Sequence, residues 1–276
     1  MSSLTPREPG AMFWAGRDDL KAICAMGVRC GQMGIPGDYA MDEAAEEEWK
    51  AALAGQGFTL ATLFAAYDGE RYTDVPAVRR TVGFIPPETR EARILRTLEL
   101  SDFAAKLNVG SIACHIGFVP EDAAHPDYAA VREAVRRVCG HAARNGQTFA
   151  LETGQEPARA LLQFIEDVGR PNLGINFDPA NMILYGTGEP VEALMAVRER
   201  VLSVHLKDGT WPPKDKPDAL GTEVPLGQGD VGIKRFVEAL RETGFTGPLN
   251  VERETEDQAA RLRELAAGVE LLRSLR

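Results

Sequence analysis

The chain has 276 residues, 44% of them hydrophobic and 26% charged, enough to build one sizeable core. Its 41 acidic residues outnumber 31 basic ones, and the formal net charge of −10 argues against a nucleic-acid partner. No segment approaches the ~18 uncharged apolar residues of a membrane span, and the polar start "MSSLTPREPG" lacks the apolar stretch of a signal peptide. A cytoplasmic protein with no membrane partner is expected. The four cysteines (Cys24, Cys30, Cys114, Cys139) show no CxxC spacing and read as reduced, structural thiols.

Short β-like runs alternate with longer stretches of helical character. In chain order, strands are predicted at 11–15 (AMFWA), 27–32 (GVRCGQ), 58–64 (FTLATLF), 110–116 (GSIACHI), 148–152 (TFALE), 173–178 (LGINFD), 201–207 (VLSVHLK) and 249–253 (LNVER). Between them lie helix candidates such as "DEAAEEEWKAALAG", "DYAAVREAVRRVCGHAARNG" and "IKRFVEALRETG", several closing on Gly or Asn as helix C-termini do. Such alternation without a break in composition predicts a single-domain α/β protein over residues 1–276, a closed (β/α)₈ TIM barrel. A doubly wound open sheet is the alternative, but no GxGxxG opens a helix after the first strand. Two long loops, 66–87 and 209–230, follow strand C-termini, the face where barrel enzymes place their chemistry.

Side chains alternate across a strand, so each late strand has two distinct faces. Ser111, Ala113 and His115 oppose Ile112, Cys114 and Ile116. Ala150 and Glu152 oppose Phe149 and Leu151; Gly174, Asn176 and Asp178 oppose Leu173, Ile175 and Phe177. Ser203, His205 and Lys207 oppose Leu202, Val204 and Leu206, and Asn250 and Glu252 oppose Leu249 and Val251. The apolar faces suit packing against outer helices, which turns the small or polar faces inward and gathers His115, Glu152, Asp178, His205 and Glu252 at the barrel mouth. Three inward carboxylates repel one another in a low-dielectric site, and a divalent cation keeps them ionised. Glu152, Asp178, His205 and Glu252 form an oxygen-rich set with one nitrogen, which suits Mn²⁺ first, then Mg²⁺, with Co²⁺ or Zn²⁺ less selectively. Lys207 is expected further out, at the rim, to bond a substrate hydroxyl or steady a developing oxyanion.

Each residue also has a plainer reading: a core histidine, a glutamate paired with Lys207, an Asx-turn at Asp178 before Pro179. Four consecutive strands ending this way favour the metal site over four separate explanations. The run "PLGQGDVG" (225–232) reads as a phosphate cradle or, preferably, as a Gly-rich turn closing over the site. Trp14, Trp211 and Phe118 lie near strand ends and offer an apolar platform for a sugar ring, although ordinary packing explains them equally well.

The segments "LETGQE", "NFDPAN", "VHLKDG", "PLGQGDVG" and "GPLNVERE", in this order, resemble the xylose-isomerase-like TIM-barrel superfamily, and within it the sugar phosphate isomerase/epimerase group. The resemblance implies metal ligands at Glu152, Asp178, His205 and Glu252. It further implies a proton moved next to a carbonyl through a metal-bound enediolate, with Glu152 and Glu252 as the catalytic pair. Two departures stand out. The family's ketose epimerases carry a His three residues after the Asp, where this chain has Asn181, and an Arg six residues after the metal His, where it has Trp211. Both positions contact sugar hydroxyls in those enzymes, so Asn181 and Trp211, with His115 and Lys207, are the candidate substrate contacts. AP endonucleases of the same superfamily hold three zinc ions. The four histidines here (His115, His125, His141, His205) cannot complete such a site. The expectation is a metal-dependent isomerase or epimerase acting on a small-molecule sugar or sugar derivative, compatible with a homo-oligomer. Its rivals are a lyase of the same superfamily, either a dehydratase or a C-glycoside-cleaving enzyme on 3-oxo sugars, and a non-catalytic sugar-binding barrel.

Overall fold

The small-or-polar and apolar positions of the strand segments sort onto the two faces of a closed sheet. The computed structural model describes residues 5–216 and 218–275. Its strands are β1 Pro9–Trp14, β2 Cys30–Ile35, β3 Thr59–Ala65, β4 Ser111–Cys114, β5 Thr148–Glu152, β6 Leu173–Phe177, β7 Val201–Leu206, β8 Asp208–Thr210, β9 Thr222–Val224 and β10 Leu249–Val251. Eight of them close in the order β1-β10-β7-β6-β5-β4-β3-β2. Every neighbouring pair is parallel. Helices lie between the strands, so the fold is a TIM barrel, as the alternation predicts.

The register aligns the inward positions in rings: Phe64 with Ala113, Ala113 with Ala150, Ala150 with Gly174, and Asn250 with His205. Met12, Phe64, Ala113 and Ala150 form a small apolar cluster of their own inside the barrel. The alternate residues, among them Phe13, Ile112, Phe149, Phe177 and Val204, join the large core between sheet and helices. The helix Pro126–Arg144 shows how that outer layer is made. Proline opens it, and Tyr128, Val131, Val135, Val138 and Ala142 bury one face at three- and four-residue spacing. Among the described residues no helix is long and apolar enough to cross a membrane.

Three segments differ from the pattern-based expectation. The second strand runs at 30–35 rather than 27–32. Its glycines let the backbone come close: a Cβ on Gly31 would lie 2.2 Å from the Ala11 carbonyl oxygen. The 66–87 loop contains a helix, Val75–Thr81, whose N-cap Asp74 accepts from Ala77 N at 2.7 Å. The 209–230 loop begins as an antiparallel hairpin, β8 with β9, folded over the mouth-side end of β7. Cys30, Cys114 and Cys139 are buried, Cys24 partly so, and none is in a disulfide. Burial pushes the Cys139 thiol up to about 12, which suits an inert structural role.

Candidate active site

Glu152 is the last residue of β5, Asp178 follows β6, His205 lies near the end of β7, and Glu252 follows β10. Neighbouring strands of one sheet end at similar height, so the four side chains meet. One ligand atom from each lies within 4.8 Å of all the others, and all four residues are buried. His205 Nδ1 sits 3.1 Å from Glu152 Oε1, 3.0 Å from Glu252 Oε2 and 4.0 Å from Asp178 Oδ2. Glu152 is oriented by two amides: Asn176 Nδ2 donates to Oε2 at 3.0 Å and Asn181 Nδ2 to Oε1 at 3.2 Å.

Asp178 serves two ends at once. Its Oδ1 accepts from the backbone N–H of Ala180 at 2.8 Å and of Asn181 at 3.1 Å, capping the helix Pro179–Leu184. The Asx-turn and the ligand reading are therefore compatible. The other oxygen, Oδ2, turns toward the cluster, 2.7 Å from Lys207 Nζ. Lys207 Nζ also lies 3.0 Å from Glu252 Oε2. Lys207 is thus inside the carboxylate cluster and buried, rather than out at the rim where strand alternation placed it.

Burial raises the Glu152 carboxyl, but the His205 and His115 rings outweigh it and hold it below the usual range. Burial likewise opposes ionisation of Glu252, and His205 and Lys207 bring it well below that range. Asp178 goes the other way: burial, with Glu252 and Glu152 repelling its charge, pushes it up to about 7 despite Lys207. For His205, burial disfavours the charge, yet Glu152 and Glu252 carry its value well above an ordinary imidazole.

The residues fit a divalent cation. Three carboxylates and one imidazole are the donor set of a hard or borderline ion. Asp178 Oδ2 and Glu252 Oε2 are buried with no hydrogen bond of acceptable geometry. Buried acceptors normally find such a partner; these two face Lys207 Nζ at 2.7 and 3.0 Å, within the 4.8 Å ligand-atom cluster.

A cavity of about 400 Å³ opens on the cluster. His115, Glu152, Asn181, Lys207 and Glu252 line its polar side, and Met12, Trp14, Phe64, Tyr72, Leu184 and Tyr185 much of its apolar wall. His115 stands just beyond β4, its Nδ1 3.2 Å from Gln155 Nε2 and its Nε2 3.9 Å from Glu152 Oε1. Trp211 is not brought to the cavity. Its ring is 43% exposed, and only its backbone N–H is engaged, by Asp230 Oδ2 at 3.1 Å. Trp14 lines the wall instead, held by its Nε1–H donating to Glu254 Oε1 at 2.7 Å. Phe118 forms a second layer, edge-on to Tyr185 with ring centroids 5.7 Å apart.

The glycine-rich segment 225–232 cradles an anion, but an internal one. Asp208 Oδ1 accepts from Gly209 N at 2.9 Å and Val231 N at 3.2 Å, and Oδ2 from Gly227 N at 2.9 Å and Gly229 N at 3.0 Å. A Cβ on Gly229 would fall 2.3 Å from Asp208 Oδ1, so the wrap requires glycine there. The segment is a turn wrapped on Asp208, no residue of it lines the cavity, and no N–H of these four is left for phosphate.

Sequence reasoning passed over Gln32, Asn176, Glu223 and Glu254. Alternation places Asn176 on the inward face without giving it a role, and Glu254, two residues from Glu252, follows by the same rule. Gln32 lies in the expected second strand, but nothing in that strand's own pattern points to His205.

The family model described as a xylose isomerase-like TIM barrel matches residues 20–275. The crystal structure of a xylose isomerase domain protein from Planctomyces limnophilus superposes with a TM-score of 0.95 at 41% sequence identity, covering 98% of each chain. A xylose isomerase-like TIM barrel protein from Mycobacterium smegmatis, in complex with magnesium, gives a TM-score of 0.72 at 19% identity over 97% of this chain and 96% of that one. The apo 3-keto-D-glucoside 4-epimerase YcjR from E. coli gives 0.70 at 18% identity over 97% and 99%. At those identities the likeness is one of fold. An uncharacterised protein from Methanocaldococcus jannaschii is 25% identical over 107 residues; the match spans 38% of this chain and about a third, 34%, of that curated relative. With the family model matching nearly its whole length, this chain belongs to the xylose isomerase-like TIM barrels.

Proposed function

We propose that the protein is a divalent-metal-dependent isomerase or epimerase that moves a proton next to the carbonyl of an unphosphorylated, sugar-like hydroxy-carbonyl compound. The observation that carries this reading is the convergence of Glu152, Asp178, His205 and Glu252 ligand atoms within 4.8 Å of one another, with Glu152 and Glu252 lining a cavity of about 400 Å³. These four residues would hold the ion, Mn²⁺ or Mg²⁺ before Co²⁺ or Zn²⁺. When bound it supplies a Lewis acid that polarises a substrate carbonyl and stabilises negative charge as the adjacent C–H bond breaks.

The remaining chemistry belongs to the chain. Despite their burial, Glu152 and Glu252 are held below the usual carboxylate range by His205 with His115 and by His205 with Lys207, so each carries the charge a proton acceptor needs. One removes the proton and the other returns it, on the face set by the substrate's configuration. Lys207 Nζ stands where it can donate to a developing oxyanion. Asn181 and His115 line the same cavity and are placed to bond hydroxyls.

The unphosphorylated substrate is supported by charge. Among the described residues no arginine lines the cavity, five glutamates do (Glu70, Glu152, Glu223, Glu252, Glu254), and the one lysine that does already faces Asp178 and Glu252. The glycine-rich loop is filled by Asp208. Against an AP endonuclease stand His125 and His141, which do not line the cavity; His141 Nε2 bonds Asp102 Oδ1 at 2.6 Å on an outer helix.

The test is incubation of Mn²⁺-supplemented protein in D₂O with a panel of free ketoses and 3-oxo glycosides, read by NMR and mass. The expected result is metal-dependent deuterium incorporation next to the carbonyl with the carbon skeleton intact. Release of water or of an aglycone would make the protein a lyase. Sugar binding without any exchange across the panel would make it a binding barrel.

A further inference from the structure

Inside the barrel, beneath the cluster, four polar side chains make a closed circuit. Asn176 Nδ2 donates to Glu152 Oε2 at 3.0 Å, Gln32 Nε2 donates to Asn176 Oδ1 at 3.0 Å, and Gln32 Oε1 lies 2.9 Å from His205 Nε2. His205 Nδ1 returns to Glu152 Oε1 at 3.1 Å. Gln32 and Asn176 are fully buried. Gln32 is on β2 and Asn176 on β6, four strands apart in either direction round the barrel, so the link crosses its interior.

The circuit has only one direction. An ionised carboxylate can only accept, so the Asn176 atom facing Glu152 must be the NH₂. Asn176 then presents its oxygen on the other side, where both Gln32 Nε2 and, at 2.5 Å, Ser203 Oγ donate to it. Gln32 is turned in consequence so that its oxygen faces His205, and an amide oxygen cannot donate. The ring must carry its hydrogen on Nε2. Nε2–H is fixed whether or not Nδ1 also donates to Glu152 Oε1; once the ring is neutral, as a metal ligand must be, the lone pair is on Nδ1, the atom among Glu152, Asp178 and Glu252. Flipping either amide would set donor against donor or acceptor against acceptor in a space without solvent.

We propose that Gln32 and Asn176 are positioning residues that lock His205 in the Nε2–H tautomer, so that Nδ1 is the atom offered to a divalent cation. The inference rests on the metal reading above and extends it to two residues that would touch neither ion nor substrate. A hydrogen bond to the distal nitrogen of a ligating histidine fixes ring orientation and tautomer, and losing it weakens metal binding by about 10–100-fold.

The test uses the full chain, with Zn²⁺ as an NMR-silent probe ion, and two readouts. Calorimetry gives the Zn²⁺ affinity of wild type, Gln32→Met, Asn176→Asp and Ser203→Ala. Long-range ¹H–¹⁵N spectra of the Zn²⁺-loaded, histidine-labelled protein identify the ring nitrogen that carries hydrogen. Gln32→Met preserves shape without the acceptor, and Asn176→Asp preserves shape without the donor to Glu152. Both should weaken Zn²⁺ binding by about 10–100-fold and lose the single Nε2–H pattern of His205. Ser203→Ala removes a bond of the network without touching the direction of the circuit and should leave both readouts unchanged. A folded Gln32→Met or Asn176→Asp protein with wild-type affinity and an unaltered Nε2–H pattern would overturn the proposal. Wild-type protein that binds no divalent ion would instead overturn the metal reading beneath it.

Discussion

Asp178 and Asp208 are two buried aspartates at the same end of the barrel, and the structure treats them oppositely. Asp208 gives both oxygens to backbone N–H groups, four in all, from Gly209, Gly227, Gly229 and Val231. Asp178 spends one oxygen on a helix cap and leaves the other without a hydrogen bond, facing Lys207, His205 and Glu252. Burying a carboxylate is costly unless donors replace the lost water. Asp208 meets that cost with donors fixed in the main chain, so it stitches a loop down. Asp178 meets it only in part, and its carboxyl is pushed up to about 7. A buried carboxylate whose charge is only partly offset, in a cluster beside a cavity, is a candidate ligand for a bound cation.

The largest expected effect lies on the unmet side of that contrast. Glu152→Gln and Glu252→Gln keep shape and one ligand oxygen while removing the base. Each should lower turnover by at least about 10²-fold, measured by deuterium exchange with metal content checked in the same sample. A Gln variant that retains metal and near-normal turnover would move the acid–base role to His115 or Lys207.

Asp208 should behave in the reverse way. Asp208→Ala leaves four N–H groups short of an acceptor and should cost at least about 2 kcal/mol in denaturant unfolding, with divalent-ion affinity unchanged. Equal stability of mutant and wild type would mean that water replaces the carboxylate without loss.

A smaller effect is expected at Glu156, a buried acid outside the cluster. Burial, with Glu121 adding to it, raises its carboxyl from 4.5 to about 8. The folded state therefore prefers the protonated form. The associated stability is fully present below about 4.5 and is lost as pH rises through about 8. Glu156→Gln is neutral throughout, so it should melt with wild type at pH 4 and above it at pH 9, by at least about 2 °C. A melting difference independent of pH would contradict the assignment. Least of all should come from Trp211→Ala, because that ring lies outside the cavity. Turnover should change less than about 2-fold, whereas Trp14→Ala should lower it further.

Much of this contrast could be read from the chain before any coordinates. Strand alternation placed Glu152, Asp178, His205 and Glu252 on the inward face because period-2 geometry allows few other arrangements. What escaped depended on contacts between segments distant in sequence. Gln32 falls inside the strand expected at 27–32, but its meeting with His205 and Asn176 depends on contacts across the barrel that one strand's pattern does not carry. The hairpin Asp208–Thr210 with Thr222–Val224 has strands too short to carry a periodic signal. Trp211 and Trp14 are each adjacent to a strand end, and only the path of that hairpin decides which one reaches the cavity. Lys207 followed the alternation faithfully, but alternation gives a face and not a depth. Its long side chain folds back onto Asp178 and Glu252.

The account stands most directly on whether the four converging side chains bind an ion. Calorimetric titration of chelator-treated protein with Mn²⁺ measures it, with Asp178→Asn and Asp208→Ala as the paired variants. Asp178→Asn keeps the oxygen that caps the helix and removes the charge that faces the cluster. The predicted result is about one Mn²⁺ per chain in wild type, the same in Asp208→Ala, and binding lost in Asp178→Asn without loss of fold. No heat of binding in wild type, or an affinity that survives Asp178→Asn and falls in Asp208→Ala, would contradict it.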